Sequence, residues 1–195
     1  MKACLAVVCL TLALAAPAIA QSERPSATDG LAVIAQAQRS SAERVGGSRN
    51  RVLIEARHAD GRLFFRSATH NLRTNAGTDW QAKAMADTAT APATCNYIAL
   101  TSDSAPAAAT DNALAAELTT AGLARAQGSF THASGTNTYA VSKTFTASGS
   151  VSGVQKAALF NAASGGTMCF EANFTPAANL AAGDTLTITW AVTLN

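Results

Sequence analysis

The segment DTLTITWAVTLN, at the carboxy-terminal end of the sequence, constrains the fold more than any other stretch. Its apolar side chains alternate strictly with threonine and other small residues. Because successive side chains of a β-strand point to opposite faces, this period of two predicts a strand with one face in a hydrophobic core. The predicted inward residues are Leu186, Ile188, Trp190, Val192 and Leu194.

Three pairs of apolar runs are separated by turn residues, and each pair predicts a β-hairpin. RVLIEAR and LFFRSATHNL flank an Asp60–Gly61 turn, while LARAQGSFTHA and TYAVSKTFTA flank SGTN. VSGVQKAALFN and TMCFEANFTP flank AASGG, where glycines tolerate the positive φ of a tight turn. No helix follows AASGG to supply a dipole, so a turn is predicted there and a phosphate-binding loop is not.

One short helix is predicted between the first hairpin and the rest of the domain. Thr78 followed by Gln81 fits a capping box, which places the helix at about residues 79–87. Trp80 is its expected anchor in the core. A second short helix, capped by Asp111 or Asn112, is predicted in the long connection after the strand CNYIAL.

Together these elements predict a mainly β fold over residues 51–195. We expect an antiparallel β-sandwich with one or two short helices, preceded by an irregular N-terminal extension over residues 21–50. The extension is polar and contains LAVIAQAQRSSAERV, which predicts either a short helix after Asp29 or an extended arm.

The first 20 residues have the order of a secretory signal peptide. Lys2 precedes an apolar run over residues 3–16, then Pro17 and a small-residue triplet that ends at Ala20. A membrane anchor is the alternative, but the run is shorter than the about 20 residues that span a bilayer. We therefore expect cleavage after Ala20 and a mature protein that is secreted, periplasmic or on the cell surface, without a membrane span.

Two cysteines, Cys95 and Cys169, remain after that cleavage. In an exported protein they predict one disulfide, with two separate buried thiols as the alternative. Strict alternation places Cys169 opposite the face that holds Met168 and Phe170, and Cys95 opposite Ile98. We therefore expect a cross-strand disulfide between neighbouring strands, at the surface of the sheet.

The sequence contains no concentrated catalytic or metal-binding motif. The histidines His58, His70 and His132 are scattered, whereas a zinc site needs about four ligands brought together. A Ser-His-Asp site is recognised by geometry and stays an alternative, although no G-x-S-x-G elbow is present. We therefore predict no catalytic residue, no metal site and no cofactor, and a protein that is not an enzyme.

The carboxylates also lack a spacing that favours catalysis. Asp103 and Asp111 share a loop and would supply only two of the about six or more oxygens that calcium needs. Paired acids for glycoside hydrolysis would have to come from Asp103, Asp111, Glu117, Glu171 and Asp184.

The charge balance predicts no nucleic-acid partner. The formal net charge is +2, too small for a general attraction to phosphates. The arginines are concentrated in the N-terminal half, where they indicate either a contact surface for an acidic partner or ordinary solvated side chains. The residues concerned are Arg39, Arg44, Arg49 and Arg51.

Three stretches resemble small β-rich structural proteins of tailed bacteriophages. They are HNLRTNAGTDW, YIALTSDSAPAAATDNALAAEL and AALFNAASGGTMCFEANFTPAANLAAGDTLTITWAVTL. The resemblance extends over roughly His70 to Leu194 and also takes in the preceding hairpin. The resemblance implies a non-enzymatic component of a virion or tail-like assembly, with no catalytic residues to carry over. The signal peptide and the cysteine pair distinguish this chain from proteins assembled in the cytoplasm, and predict an exported protein built on the same kind of module.

We therefore expect an exported, non-enzymatic structural or adhesive subunit that associates with itself or with other structural subunits. One alternative is a secreted carbohydrate- or protein-binding module that uses the loop over residues 101–112, with Tyr97 or Tyr139 as platforms. A second alternative is a small secreted hydrolase. Copies are expected to meet by strand addition from the extension over residues 21–50.

Overall fold

A computed structural model describes residues 50–87 and 89–194. The predicted signal peptide and all but the last residue of the predicted extension lie outside these residues. The described part contains one helix, α1 (Asn75–Ala86), and ten strands: β1 (Arg51–Arg57), β2 (Leu63–His70), β3 (Leu72–Arg73), β4 (Tyr97–Thr101), β5 (Ala126–Gln127), β6 (Ser129–His132), β7 (Thr138–Thr146), β8 (Val151–Phe160), β9 (Met168–Leu180) and β10 (Thr185–Thr193).

The strands form two five-stranded sheets, and all their pairings are antiparallel. Sheet A has the order β2-β1-β10-β7-β6, and sheet B has the order β3-β9-β8-β4-β5. Side chains from both sheets share one hydrophobic cluster, the main core. The prediction of a mainly β, antiparallel two-sheet fold is confirmed.

β10 lies at the centre of sheet A, between β1 and β7. Its predicted inward side chains from Leu186 to Val192 are buried, as the alternation requires. The prediction that Leu194 also faces inward is wrong. It lies beyond the end of β10, its side chain is 49% exposed, and its backbone N–H donates to Asn137.

The three predicted hairpins are present as β1–β2, β6–β7 and β8–β9. In the first, Gly61 has a φ of 87° and its N–H donates to the carbonyl of His58. In the third, Gly165 and Gly166 both have positive φ, and the turn closes when the side-chain oxygen of Asn161 accepts from the N–H of Thr167. The glycine pair therefore forms the turn of a hairpin, as predicted.

Helix α1 begins four residues earlier than expected, because Thr74 caps it instead of Thr78. The hydroxyl oxygen of Thr74 accepts from the N–H of Gly77 at 2.9 Å, and the same hydroxyl donates to the carbonyl of Met168. That second bond is long-range, so the local capping pattern did not reveal it. Trp80 is only half-buried, packs at the border of the main core and donates its indole N–H to Ala93.

Gly77 packs α1 directly against the backbone of β9. A Cβ atom at this position would lie 2.0 Å from the carbonyl oxygen of Cys169. Alanine is favoured over glycine in a helix by about 1 kcal/mol. The obstacle here is rigid backbone, however, so no rotamer change relieves the overlap.

We therefore expect Gly77→Ala to lower the free energy of unfolding by about 2 kcal/mol, measured by urea denaturation. Gly149→Ala is the matched control, since a Cβ there meets no atom within 4 Å. The control is expected to change stability by less than about 0.5 kcal/mol. A Gly77→Ala protein as stable as its parent would contradict the described packing.

The second predicted helix is absent from the described structure of residues 102–125, which contains turns and one isolated bridge. This connection instead covers the outer face of sheet B. Leu114 is buried there against a second hydrophobic group, the outer cluster, and half-buried Tyr97 packs against it. The outer cluster consists of Ala99, Leu114, Ala158, Phe160 and Met168. Sheet B is thus buried on both faces, which explains why β8 and β9 contain apolar runs without strict alternation.

A disulfide joins Cys95 to Cys169, whose Cα atoms lie 6.5 Å apart. Its expected position, at the sheet surface between neighbouring strands, is wrong. Cys95 lies just before β4 and Cys169 lies in β9, and β8 separates those two strands in sheet B. Both cysteines are buried in the main core.

A β-bulge in β9 explains why alternation misplaced Cys169. The register with β8 shifts between Leu159, which pairs with Phe170, and Phe160, which pairs with Met168. The extra residue is Cys169, so Cys169 and Phe170 both contribute to the main core, while Met168 lies in the outer cluster. A bulge sets two residues opposite one and so breaks the period of two.

Candidate functional site

The most concentrated polar chemistry in the described residues is a charged cluster formed by Asp103, Lys156 and Glu171. Lys156 Nζ lies 3.0 Å from Asp103 Oδ2 and 3.1 Å from Glu171 Oε1. The side chain of Lys156 is 3% exposed and that of Glu171 is 1% exposed, whereas Asp103 is partly open to solvent. The cluster lies between β8, β9 and the loop that follows β4.

Burial and the neighbouring charges act differently on the three groups. Burial raises the pKa of Glu171, and the nearby carboxyl group of Asp111 adds to this effect. The hydrogen bond from Lys156 lowers the pKa of Asp103. Burial alone would lower the pKa of Lys156, but its hydrogen bonds to the two carboxylates outweigh burial and raise it. Lys156 and Asp103 are therefore a charged pair at neutral pH, with Glu171 as the group closest to neutrality.

The loop over residues 101–112 is tied to this cluster by further hydrogen bonds. Asn173, in β9, accepts from the N–H of Ala107 at 2.7 Å and donates to the carbonyl of Ala105 at 3.0 Å. Asp111 accepts from the N–H of Ala108 within the loop. The loop is therefore a packed layer on sheet B. Its aspartates Asp103 and Asp111 accept hydrogen bonds from the loop's own backbone.

Glu171 makes stability depend on pH in a definite direction. Its pKa is raised above the ordinary value of 4.5, so between pH 4.5 and the folded-state pKa the folded protein holds a proton that the unfolded chain has lost. The contribution of Glu171 to the free energy of unfolding is therefore fully present below pH 4.5. It is lost as the pH rises through the folded-state pKa.

We expect Glu171→Gln to reduce the fall in the free energy of unfolding between pH 5 and pH 8, measured by urea denaturation across that range. Asp103 and Asp111 face the same cluster and stay in both proteins, as do the histidines, so their contributions cancel in the comparison. Two proteins with the same pH dependence would contradict a raised pKa for Glu171.

Arg125 forms a second tie between the long connection and sheet B. Its guanidinium donates two hydrogen bonds to Glu117, lies 3.6 Å from the ring centre of Phe160, and donates to the carbonyls of Ala162 and Gly165. Such a paired, stacked and largely buried arginine fastens the β8–β9 turn to the loop layer. Glu117, one of the candidate acids, is thereby used in an ion pair.

The three histidines lie far apart in the fold. His58 stacks on Phe64, and its Nδ1 lies 3.2 Å from Asp184 Oδ1. His70 is exposed at the end of β2, and His132 Nδ1 bonds the carbonyl of Thr138. Within residues 50–87 and 89–194, no hydrogen bond connects a histidine to a serine, and no group of His, Cys, Asp and Glu is arranged to hold a metal ion.

Sequence reasoning named Glu171 as a candidate acid but overlooked Lys156. One pattern could have drawn attention to both. Each is the only charged residue of its strand and lies among mostly apolar residues, in VSGVQKAALF and MCFEANF. Opposite charges in the two arms of one hairpin, both inside apolar runs, predict a buried pair because an isolated buried charge is costly.

A different kind of site is the exposed edge of sheet A, at β6. All four β6 residues are exposed, and in the described structure this strand pairs with β7 alone. Phe130 is 61% exposed and lies 5.6 Å from the ring of Tyr139 and 6.4 Å from that of His132. We call Phe130, His132 and Tyr139 the β6 patch. It combines an apolar surface with a strand edge whose backbone groups face outward.

Two packed antiparallel sheets, a buried disulfide and ion pairs that fasten loops to strands define a structural β-sandwich module. A comparison with protein-family models identifies the kind of module. The chain belongs to the family described as Podophage GP4 fiber I protein gp80, whose model matches residues 67–193. The resemblance to structural proteins of tailed bacteriophages is therefore confirmed.

Searches of curated proteins and of solved structures found no match. The one described helix is too short and too polar to cross a membrane. Of the arginines proposed as a contact surface, Arg51 lies in β1, and Arg39, Arg44 and Arg49 lie outside the described residues.

Proposed function

We propose that this protein is an exported, non-enzymatic structural subunit of a fiber-like assembly, and that it associates with copies of itself or with other structural subunits. Membership of a phage fiber family over residues 67–193 is the observation that carries the proposal. The described charged groups support it, because Asp103, Glu117 and Glu171 are each engaged by a cation. The predicted signal peptide, with cleavage after Ala20, supports export.

The β6 patch is the surface on which we place the contact between subunits. Edge strands offer unpaired backbone donors and acceptors, and proteins that avoid association cover or charge them. β6 carries an exposed phenylalanine instead of a charge. An added strand would bond the backbone of β6 and cover the ring of Phe130.

The predicted extension over residues 21–50 is the proposed source of that added strand. Residue 50 enters the sandwich at the end of β10, where the side-chain oxygen of Asn50 accepts from the N–H of Thr193 at 2.8 Å. Leu194 follows directly and is half exposed near this end of sheet A. The apolar residues Leu31, Val33 and Ile34 would provide the side chains that cover a neighbour's edge.

The test is light scattering of the mature, oxidised protein over a concentration series, with negative-stain images at the highest concentration. We expect concentration-dependent growth into rings or filaments. Deleting residues 21–49 and keeping Asn50 is expected to abolish assembly while the core stays folded by circular dichroism. Unchanged assembly after the deletion would contradict strand addition.

Phe130→Ser provides a point test of the same surface. It is expected to weaken assembly at least about tenfold, since burial of an aromatic side chain contributes about 1.5–3 kcal/mol. Met85→Ser is the matched control, because Met85 is 79% exposed on α1, away from β6. Equal effects of the two substitutions would contradict a specific role for the β6 patch.

The β6 patch also favours one second candidate, a carbohydrate-binding module. Tyr139 was proposed as a platform from the sequence, and the structure places Phe130 and His132 beside it. Aromatic faces bind the apolar faces of sugars by packing. A strict monomer that binds glycans, and loses binding in Phe130→Ser, would favour this role over assembly.

A further inference from the structure

Lys156 is held in an unusual position for a lysine. Three strands place the charged cluster together: Thr101 of β4 pairs with Lys156, and on the other side Ala158 of β8 pairs with Glu171 of β9. Asp103 follows two residues after β4, so its carboxylate meets the same Nζ. The amine nitrogen is thus in direct contact with two carboxyl groups, of which Glu171 is buried and Asp103 is partly open to solvent.

Glu171 is not fully used by this arrangement. Its Oε1 contacts Lys156, while its Oε2 is buried and receives no hydrogen bond in the described residues. The carboxyl group of Asp111 lies close by, but it becomes a partner only when one of the two acids holds a proton. A buried polar atom with no partner costs about 1–3 kcal/mol and calls for an explanation. A group that receives and passes on protons during a reaction gives such an explanation.

We propose that Lys156 and Asp103 become joined by an intramolecular amide bond, with Glu171 carrying the protons. One proton first passes from the Lys156 ammonium group by way of Glu171 to Asp103, which turns the ion pair into a neutral amine and a carboxylic acid. Lys156 Nζ then attacks Cγ of Asp103, a carbon–nitrogen bond forms, and one carbon–oxygen bond of Asp103 breaks. Of the three protons on the ammonium group, one stays on the amide nitrogen. The other two pass by way of Glu171 to the departing oxygen, which leaves as one water molecule.

Proximity and partial burial favour this condensation, whereas the ion pair that raises the pKa of Lys156 and lowers that of Asp103 opposes its first proton transfer. Reacting groups held at contact distance avoid the entropic cost of an encounter, which is worth about 7–11 kcal/mol in well-oriented cases. Burial of Lys156 and Glu171 removes the water that would stabilise their separated ions, while Asp103 stays partly open to solvent. The raised pKa of Glu171 makes its carboxylate a better proton acceptor than an exposed glutamate.

The bond would fasten the loop over residues 101–112 covalently to the centre of sheet B. The disulfide already connects the segment before β4 to β9. The amide would connect the segment after β4 to β8, so both ends of β4 would be cross-linked to the same sheet. This inference concerns the maturation of the chain and does not depend on how copies assemble.

Peptide mapping tests the bond on the purified full-length protein, which needs no variant. Trypsin cuts after Lys83, Arg125, Lys143 and Lys156 in the relevant region. Without the amide, residues 84–125, 144–156 and 157–195 appear as separate peptides once the protein is reduced and alkylated. With the amide, Lys156 resists cleavage and residues 84–125 stay joined to 144–195, at a mass lower by one water.

Reduction before digestion is essential, because the disulfide joins residues 84–125 to 157–195 by itself. Dehydration at the Asp60–Gly61 turn would remove the same mass, but that turn lies in a different peptide, residues 58–62. The location of the mass loss therefore separates the two reactions.

Two variants complete the test. Lys156→Arg keeps the positive charge but provides no nucleophilic amine, so the peptides are expected to separate fully. Glu171→Gln keeps the shape and removes the proton carrier, so the cross-linked peptide is expected to fall to a small fraction of its level in the parent. Separate peptides of full mass in the parent protein would overturn the proposal and leave an ordinary ion pair.

Discussion

Replacing Cys95 and Cys169 together by alanine is expected to lower the free energy of unfolding by about 4 kcal/mol. The disulfide spans 74 residues, and closing a loop of that length restricts the unfolded chain strongly. Both cysteines are also buried in the main core, so the substitution leaves unfilled space that adds to the loss.

Urea denaturation of the oxidised parent and of the double variant measures this difference. The parent under strongly reducing conditions is the control, because it has the same core composition without the cross-link. We expect the reduced parent to be closer in stability to the variant than to the oxidised protein. A double variant within about 1 kcal/mol of the oxidised parent would contradict a stabilising role for the bond.

Trp190→Ala is expected to have an effect of similar size, a loss of about 3–5 kcal/mol in the free energy of unfolding. Trp190 has no exposed surface and lies on β10 at the centre of sheet A, with its ring centre 6.2 Å from that of Phe170 across the core. Truncation would leave a large cavity between the two sheets, where surrounding strands have little freedom to collapse.

Trp190→Phe is the matched control for this position. The indole N–H of Trp190 is buried without a hydrogen-bond partner in the described residues, so phenylalanine keeps an aromatic ring and removes an unsatisfied donor. Removing that donor offsets about 1–3 kcal/mol of the lost packing. We therefore expect Trp190→Phe to be much less harmful than Trp190→Ala in thermal unfolding, and equal losses would contradict this account.

The local elements of this fold were predictable because their causes lie within a few residues of one another. The alternation in DTLTITWAVTLN correctly identified the core face of β10 from Leu186 to Val192. Turn residues such as Asp60–Gly61 and the Gly165–Gly166 pair correctly marked two hairpins. Positive φ and a period of two are properties of short segments, so sequence alone reveals them.

The candidate sites were less predictable, because each depends on contacts between distant segments. The bulge at Cys169 places Met168 in the outer cluster and the disulfide in the main core. Thr74, which caps α1 by accepting from Gly77, is also held by a bond to Met168, a residue 94 positions away. No local pattern contains the long-range bond that favours Thr74 over Thr78 as the cap.

The sequence by itself determined the fold class and the family of this protein. The alternation of apolar residues and the turn residues are sufficient to predict the fold class. The match over residues 67–193 is sufficient to identify the family. Only the tertiary structure decided that Asp103, Lys156 and Glu171 share one buried cluster and that Phe130 lies on an open edge. The physical reason is that sheet order and burial arise from the packing of whole strands, and the same charged or aromatic residue is exposed or buried according to which strand becomes its neighbour.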